Sequence, residues 1–452
     1  MIFGRIRAGS AALAALLALA APRPALGQGA FTLPPIPIDT FTLANGLRVI
    51  VSEDHSAPLV AVSVWYHVGS AHEAPGRSGF AHLFEHMLFE ETENLSDGVL
   101  DQLITQAGGD LNGTTSTDRT AYFETLPANQ VELALWADAD RMDRLRVTER
   151  GFETQREVVK EERRLRIDNQ PYANAELALD TLATDWLPYR HTTIGTMDDL
   201  EAATAADALE FYERYYVPNN AVLAVVGDVT TAQVREMVQK HFGSIPRGPD
   251  VPELPPVPAT PRTDGERRVV MPDPMAQLPR VWMAYSVPPA NHRDSYALAL
   301  LASIFGNGES SRLQRRLVQE EQAALDVSAR LERQQGPGLF TFGAIPNLGV
   351  EVTRLEALID EEIAELIADG VTERELQKAR NQRRAGEVAS RLQVMSKGDL
   401  LQQATLRFGT PFRANDEYAR YEQVTREDVQ RVARTYLTTA NRTVVVAEPV
   451  NP

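Results

Sequence analysis

The sequence predicts an α+β fold of two homologous halves, each a mixed or antiparallel sheet packed with helices, joined by a Pro-rich linker. Three observations carry this prediction. Strand-like and helix-like runs are interleaved in both halves of the 452 residues. Between them lies RGPDVPELPPVPATPRTDGERR, residues 247–268, with six prolines. Such a stretch cannot pack as a helix or central strand, so it reads as an extended connector. The third observation is a repeat. Asp207, Tyr215 and Asn220 lead into AVLAVVG, and Asp428, Tyr436 and Asn441 lead into RTVVVAE, each position displaced by 221 residues.

The elements follow in order. Residues 1–27 have the form of a cleaved export signal: basic Arg5 and Arg7, an Ala/Leu run over 11–21, Pro22, and Ala25-Leu26-Gly27 as a small-x-small site. The run is too short to span a bilayer, so no membrane span is expected after cleavage. A first domain is expected over 28–247, a linker over 248–268 and a second domain over 269–452. Residues 40–51 (TFTLANGLRVIV) alternate around Asn45-Gly46, which marks a hairpin. Strands are expected at 60–67, 114–126 and 220–228, and helices at 78–89, 99–107, 130–143 and 149–167. In the second half, a strand at 281–286 and a helix at 295–305 take the places of 60–67 and 78–89.

Charge and composition narrow the function. The chain carries net −17, and loss of residues 1–27, with Arg5, Arg7, Arg23 and no acid, brings it to −20. That argues against nucleic acid or anionic lipid as the main partner. It weakly favours basic substrates. There is no cysteine, which excludes disulfides, thiolate metal sites and a cysteine nucleophile. Any metal must be held by His and carboxylates, in a periplasmic or otherwise exported location.

His82-Leu83-Phe84-Glu85-His86 stands out, because the chain has only 8 histidines. On a helix, positions i and i+4 share a face. His82 and His86 can then place two imidazoles on one zinc ion. Glu85, beside them, can hold and deprotonate a water whose pKa the zinc lowers. This is the inverted order of the zinc-peptidase motif. A catalytic zinc needs a third protein ligand and one open position. Helix 149–167 offers Glu157, Glu161 and Glu162, and spacing alone does not choose among them.

Here the sequence resembles the inverted-zincin peptidases: pitrilysin, insulinase and mitochondrial processing peptidase. The resemblance runs from about Phe41 to Ala447 through FTLANGLRVIV, GFAHLFEHMLFE, GGDLNGTTSTDRTAYFETLP, REVVKEERR, TAADALEFYERYYVPNNAVLAVVGDV and SSRL. It implies that Glu162, 76 residues after His86, is the third zinc ligand, with Glu161 the runner-up. It implies hydrolysis of peptide bonds in short or unfolded polypeptides. It also makes Asn112, on a strand expected to line the cavity, a candidate substrate contact.

The sequence departs from the family twice. Gln155 stands where the family carries a Glu, expected behind the metal ligands. Val318 and Leu325 stand where members that act alone carry an Arg and a Tyr that stabilise the oxyanion. The expectation is a paralogous partner subunit that supplies both, in a heterodimer. The competing expectation is a catalytically weak or silent structural or binding subunit of a hetero-oligomer.

Overall fold

The computed structural model describes residues 33–450. The export signal expected at 1–27 lies outside the described residues. Alternating apolar residues build the first sheet from β1 (Asp39–Thr42), β2 (Arg48–Glu53), β3 (Leu59–Tyr66), β4 (Asp110–Thr115), β5 (Thr120–Pro127) and β6 (Ala221–Gly227), in the order β1-β2-β6-β3-β5-β4. The second holds β7 (Arg267–Asp273), β8 (Arg280–Val287), β9 (Ala324–Glu332), β10 (Gly338–Pro346) and β11 (Arg442–Pro449), in the order β7-β11-β8-β10-β9. Without β1 the two orders are the same. Each has one parallel pair, β2 with β6 and β7 with β11, and antiparallel pairs elsewhere. The expected pair of mixed α+β halves is the observed fold.

The repeated residues do the same work in both halves. The Asn220 amide donates to the carbonyls of Tyr215 (2.9 Å) and His67 (3.3 Å). That of Asn441 donates to Tyr436 (2.8 Å) and Ser286 (2.9 Å). Each ties a helix end to the neighbouring central strand. Asp207 and Asp428 close capping boxes with Thr204 and Thr425 at the starts of those helices.

The central strands are buried on both faces, which explains their unbroken apolar runs. One face is covered by helices of the same half, the other by a helix from the opposite half. Helix Ala173–Leu182 sets Ala175 and Leu179 against Trp282, Ala284, Val445 and Ala447 of the second sheet. Helix Val394–Phe408 sets Leu401 and Ala404 against Ile50, Val222, Ala224 and Val226 of the first. The described residues from Ile36 onward accordingly form one compact unit.

Two expectations change. The strand expected at 114–126 is two strands, β4 and β5, joined by a tight turn. There Ser116 N–H donates to the Arg119 carbonyl (2.9 Å), and the Ser116 hydroxyl accepts from Arg119 N–H (3.3 Å). The helix expected through 167 is α-helical over Glu149–Arg163 and continues as a π-helical turn, Arg164–Asp168. Between Phe242 and Arg267 there is no helix or strand. No described helix is long and apolar enough to cross a membrane.

Lys397, on the exchanged helix, pairs with Asp54 beyond the end of β2. That contact holds the Asp54 carboxyl down at about 2. A depressed carboxylate pKa stabilises the fold above its unfolded value, near 4, and the contribution is lost as pH falls through about 2. Asp54→Asn is expected to lower unfolding stability by about 1–2 kcal/mol at pH 7. In urea titrations, that difference from wild type should shrink below a pH of about 3.

Candidate active site

The histidine motif forms helix Phe80–Met87. Phe80, Ala81, Leu83, Phe84 and Met87 are buried against the first core, so 82, 85 and 86 share the remaining face. The helix has no side-chain cap of its own, and Gly79 begins it at φ 91°. A more distant carboxylate replaces the cap. Glu73 accepts N–H bonds from Gly79 (3.0 Å) and Ala81 (2.8 Å), where orphan N–H groups and the helix dipole favour an anion.

Glu162 comes from helix Glu149–Arg163, whose Phe152 and Val159 are fully buried. Its Oε2 lies 3.3 Å from His86 Nε2 and 3.6 Å from His82 Nε2. One donor atom from each of the three residues fits within a 4.8 Å spread. Ligands about 2.0–2.1 Å from a tetrahedral ion are themselves about 3.3 Å apart, so the set suits a small divalent metal with one position open. Arg166, from the π turn, holds the other oxygen of Glu162 at 2.7 Å. Of the glutamates that spacing left open, Glu157 pairs with Lys160 and Glu161 with Arg164, both more than half exposed.

Electrostatics favour the ligating forms. Burial, with His86 beside it, pushes the His82 imidazole down to about 4. The hydrogen bond from His86 holds the Glu162 carboxyl below the usual range, against the effect of burial. Neutral imidazole and ionised carboxylate are the states that bind metal. Burial pushes Glu85 upward, opposed by a short hydrogen bond from the Thr115 hydroxyl of β4.

His82 and Glu162 open onto a cavity of about 380 Å³ whose walls come from both halves. His82, Thr115, Glu162, Asp180 and His191 line it from the first half, and Glu332, Gln334 and Leu339 from the second. Asp118 latches the halves beside it, accepting from the Tyr189 hydroxyl and from Gln335 N–H (2.9 Å). Tyr189 in turn accepts Gly336 N–H at 2.8 Å, and a Cβ at Gly336 would lie 2.3 Å from the Trp186 ring.

Other expected residues lie elsewhere. Asn112 is exposed on edge strand β4, where its side-chain Oδ1 accepts Gly113 N–H (2.8 Å), and it does not line the cavity. Gln155 donates to Glu90. Val318 packs against the second core, Leu325 is 55% exposed, and neither lines the cavity. Sequence reasoning missed Glu73, Thr115, Arg166, Asp180 and His191. Only His191 carried a signal, as one of few histidines.

Fold and site together define a two-half metallopeptidase scaffold with an inverted histidine motif. The family description "Insulinase (Peptidase family M16)" matches residues 48–195, and "Peptidase M16 inactive domain" matches 202–383. The chain is 34% identical to the zinc protease PqqE of Helicobacter pylori, over 77% of this chain and 78% of that protein. It is 26% identical to a protein of Arabidopsis thaliana named probable mitochondrial-processing peptidase subunit beta, over 93% of this chain and 80% of that one. A crystal structure of a protease from Helicobacter pylori superposes with a TM-score of 0.87 at 31% identity, covering 92% of this chain and all of that one. The chain belongs to peptidase family M16, the insulinase family.

Gly113 sets how closely β4 approaches the histidine helix. A Cβ there would lie 3.0 Å from Glu85 Cγ and 3.0 Å from the Phe89 ring. Gly113→Ala is expected to cost about 1–3 kcal/mol in thermal unfolding through overpacking. Metal stoichiometry should be unchanged, because no ligand is touched.

Proposed function

We propose that this chain is an exported zinc metalloendopeptidase that hydrolyses peptide bonds in short or unfolded polypeptides. His82, His86 and Glu162 would hold the zinc, and Glu85 would be the general base. The observation that carries this reading is the convergence of two imidazoles and one carboxylate at one point. Relatives named zinc proteases support the choice of metal. Bound there, zinc supplies Lewis acidity that lowers the pKa of water and polarises a carbonyl.

The chain's own residues handle the protons and the peptide. Thr115 fixes Oε2 of Glu85, which leaves Oε1 to take a proton from the attacking water and return it to the leaving nitrogen. Among the described residues no strand pairs with the outer side of β4, so an extended peptide can add to it with Asn112 in contact. Burial pushes the Asp180 carboxyl of the cavity up to about 7 and raises Glu332 as well. A cationic substrate side chain would relieve both, in keeping with the acidic chain as a whole.

Val318 and Leu325 supply no charge or hydroxyl to the reaction. A paralogous partner subunit would bring the Arg and Tyr, and the Arabidopsis relative's name as a subunit supports such an assembly. The same two residues favour the second reading, a catalytically weak or silent subunit of a hetero-oligomer.

The test is to purify the chain from the exported fraction with whatever accompanies it, then measure zinc and peptide cleavage. Glu85→Gln is expected to keep its zinc and lose about 10²–10⁴-fold in rate. His86→Ala is expected to lose the zinc. A zinc-loaded chain that cleaves no peptide, with or without its companion, would leave the silent-subunit reading standing.

A further inference from the structure

We propose that His191 touches the bound peptide in the metal cavity, its Nδ1 donating a hydrogen bond to a peptide carbonyl oxygen while Glu73 holds the ring in place. The proposal rests on the peptidase reading above and adds a residue to it.

His191 lines the same cavity as His82 and Glu162. Its Nε2 lies 3.0 Å from Glu73 Oε2 and 2.7 Å from the Ser70 carbonyl oxygen. Two acceptors at one nitrogen mean that Nε2 carries a proton and donates. Among the described residues Nδ1 has no partner. The ring is 22% exposed, so it is open on one side to a ligand.

The Glu73 side chain is fully buried. Burial raises the Glu73 carboxyl, and the hydrogen bonds from His191, Ala81 N–H and Gly79 N–H that satisfy it oppose that rise. Two of these donors belong to the start of the histidine helix, so the carboxylate cannot follow His191 elsewhere. It therefore fixes the direction of the imidazole. A carboxylate at one ring nitrogen also favours the protonated ring, in which the other nitrogen is a donor too. Burial opposes that charge, but Glu73 and Ser70 outweigh it and hold His191 above the usual histidine range. An oriented N–H in a metal cavity matches what an extended peptide presents, a carbonyl oxygen. Val318 and Leu325 leave this chain short of such donors, which gives the contact weight.

The alternative is that His191 only braces the helix through Glu73. Two variants separate the roles. His191→Gln can keep a donor near Nε2 and offers none near Nδ1. His191→Asn does the reverse. Both are made in the Glu85→Gln background of the full chain with its companion, loaded with zinc. Affinity for a fluorescent unfolded peptide is read without turnover, alongside Tm and zinc content. The Gln variant is expected to keep Tm and zinc and to bind peptide about tenfold more weakly, the loss of one charge-assisted hydrogen bond. The Asn variant is expected to lose Tm and to keep an uncharged bond to the peptide, with affinity about threefold below the parent and clearly above that of the Gln variant. A Gln variant with parental affinity, or an Asn variant as weak as the Gln variant, would overturn the proposal. Failure of the peptidase reading has a different signature: the chain with Glu85 intact cleaves no peptide, whatever the affinities.

Discussion

A buried carboxylate, Glu73, fixes the start of the helix that carries both histidines. That helix is eight residues long, too short to be stable alone in water. Its pose must come from tertiary contacts. Glu73 holds its first N–H groups, Leu83, Phe84 and Met87 anchor its inner face, and Thr115 holds Glu85 from β4. A shift of this one element would move two metal ligands and the base together. The rest of the site is arranged around it: Glu162 arrives from a separate helix, and Arg166 turns the carboxylate so that one oxygen meets both imidazoles.

The two halves share more than a linker. Each sheet is closed on one face by a helix from the other half, through Leu179 on one side and Leu401 on the other. The Gln402 amide reinforces this, donating to the carbonyls of Ser63 and Val222 at 2.9 Å each. The cavity inherits the arrangement. Its far wall is the β9–β10 hairpin, held by Asp118 and Tyr189. The second half thus shapes the place where a peptide would lie, although Val318 and Leu325 stand outside it.

Much of this was legible in the sequence, for physical reasons. The 221-residue repeat could be read because Asn220 and Asn441 perform a buried bonding task that few residues can. The histidine pair could be read because helical spacing fixes which side chains meet. The β4–β5 turn could not, because Ser116, Thr117, Asp118 and Arg119 carry no Gly or Pro, while Gly113 lies within the strand. Glu162 was singled out only through the resemblance, since periodicity does not specify a contact between two helices. Glu73 gave no signal, being one acid among 62 acidic residues whose meaning depends entirely on burial. Gln155 was expected behind the ligands from its helical step, and its amide bond to Glu90 depends on packing that spacing does not specify.

The central claim is that two imidazoles and one carboxylate of this chain hold a zinc ion with one position left open. X-ray absorption at the zinc edge, on the purified chain, tests it most directly. The account predicts one zinc with four light ligands about 2.0–2.1 Å away, two of them showing imidazole scattering. Glu162→Gln should change this spectrum, and Glu161→Gln should leave it as it is. A chain without zinc, a six-oxygen shell, or a spectrum that responds to Glu161 and ignores Glu162 would contradict it.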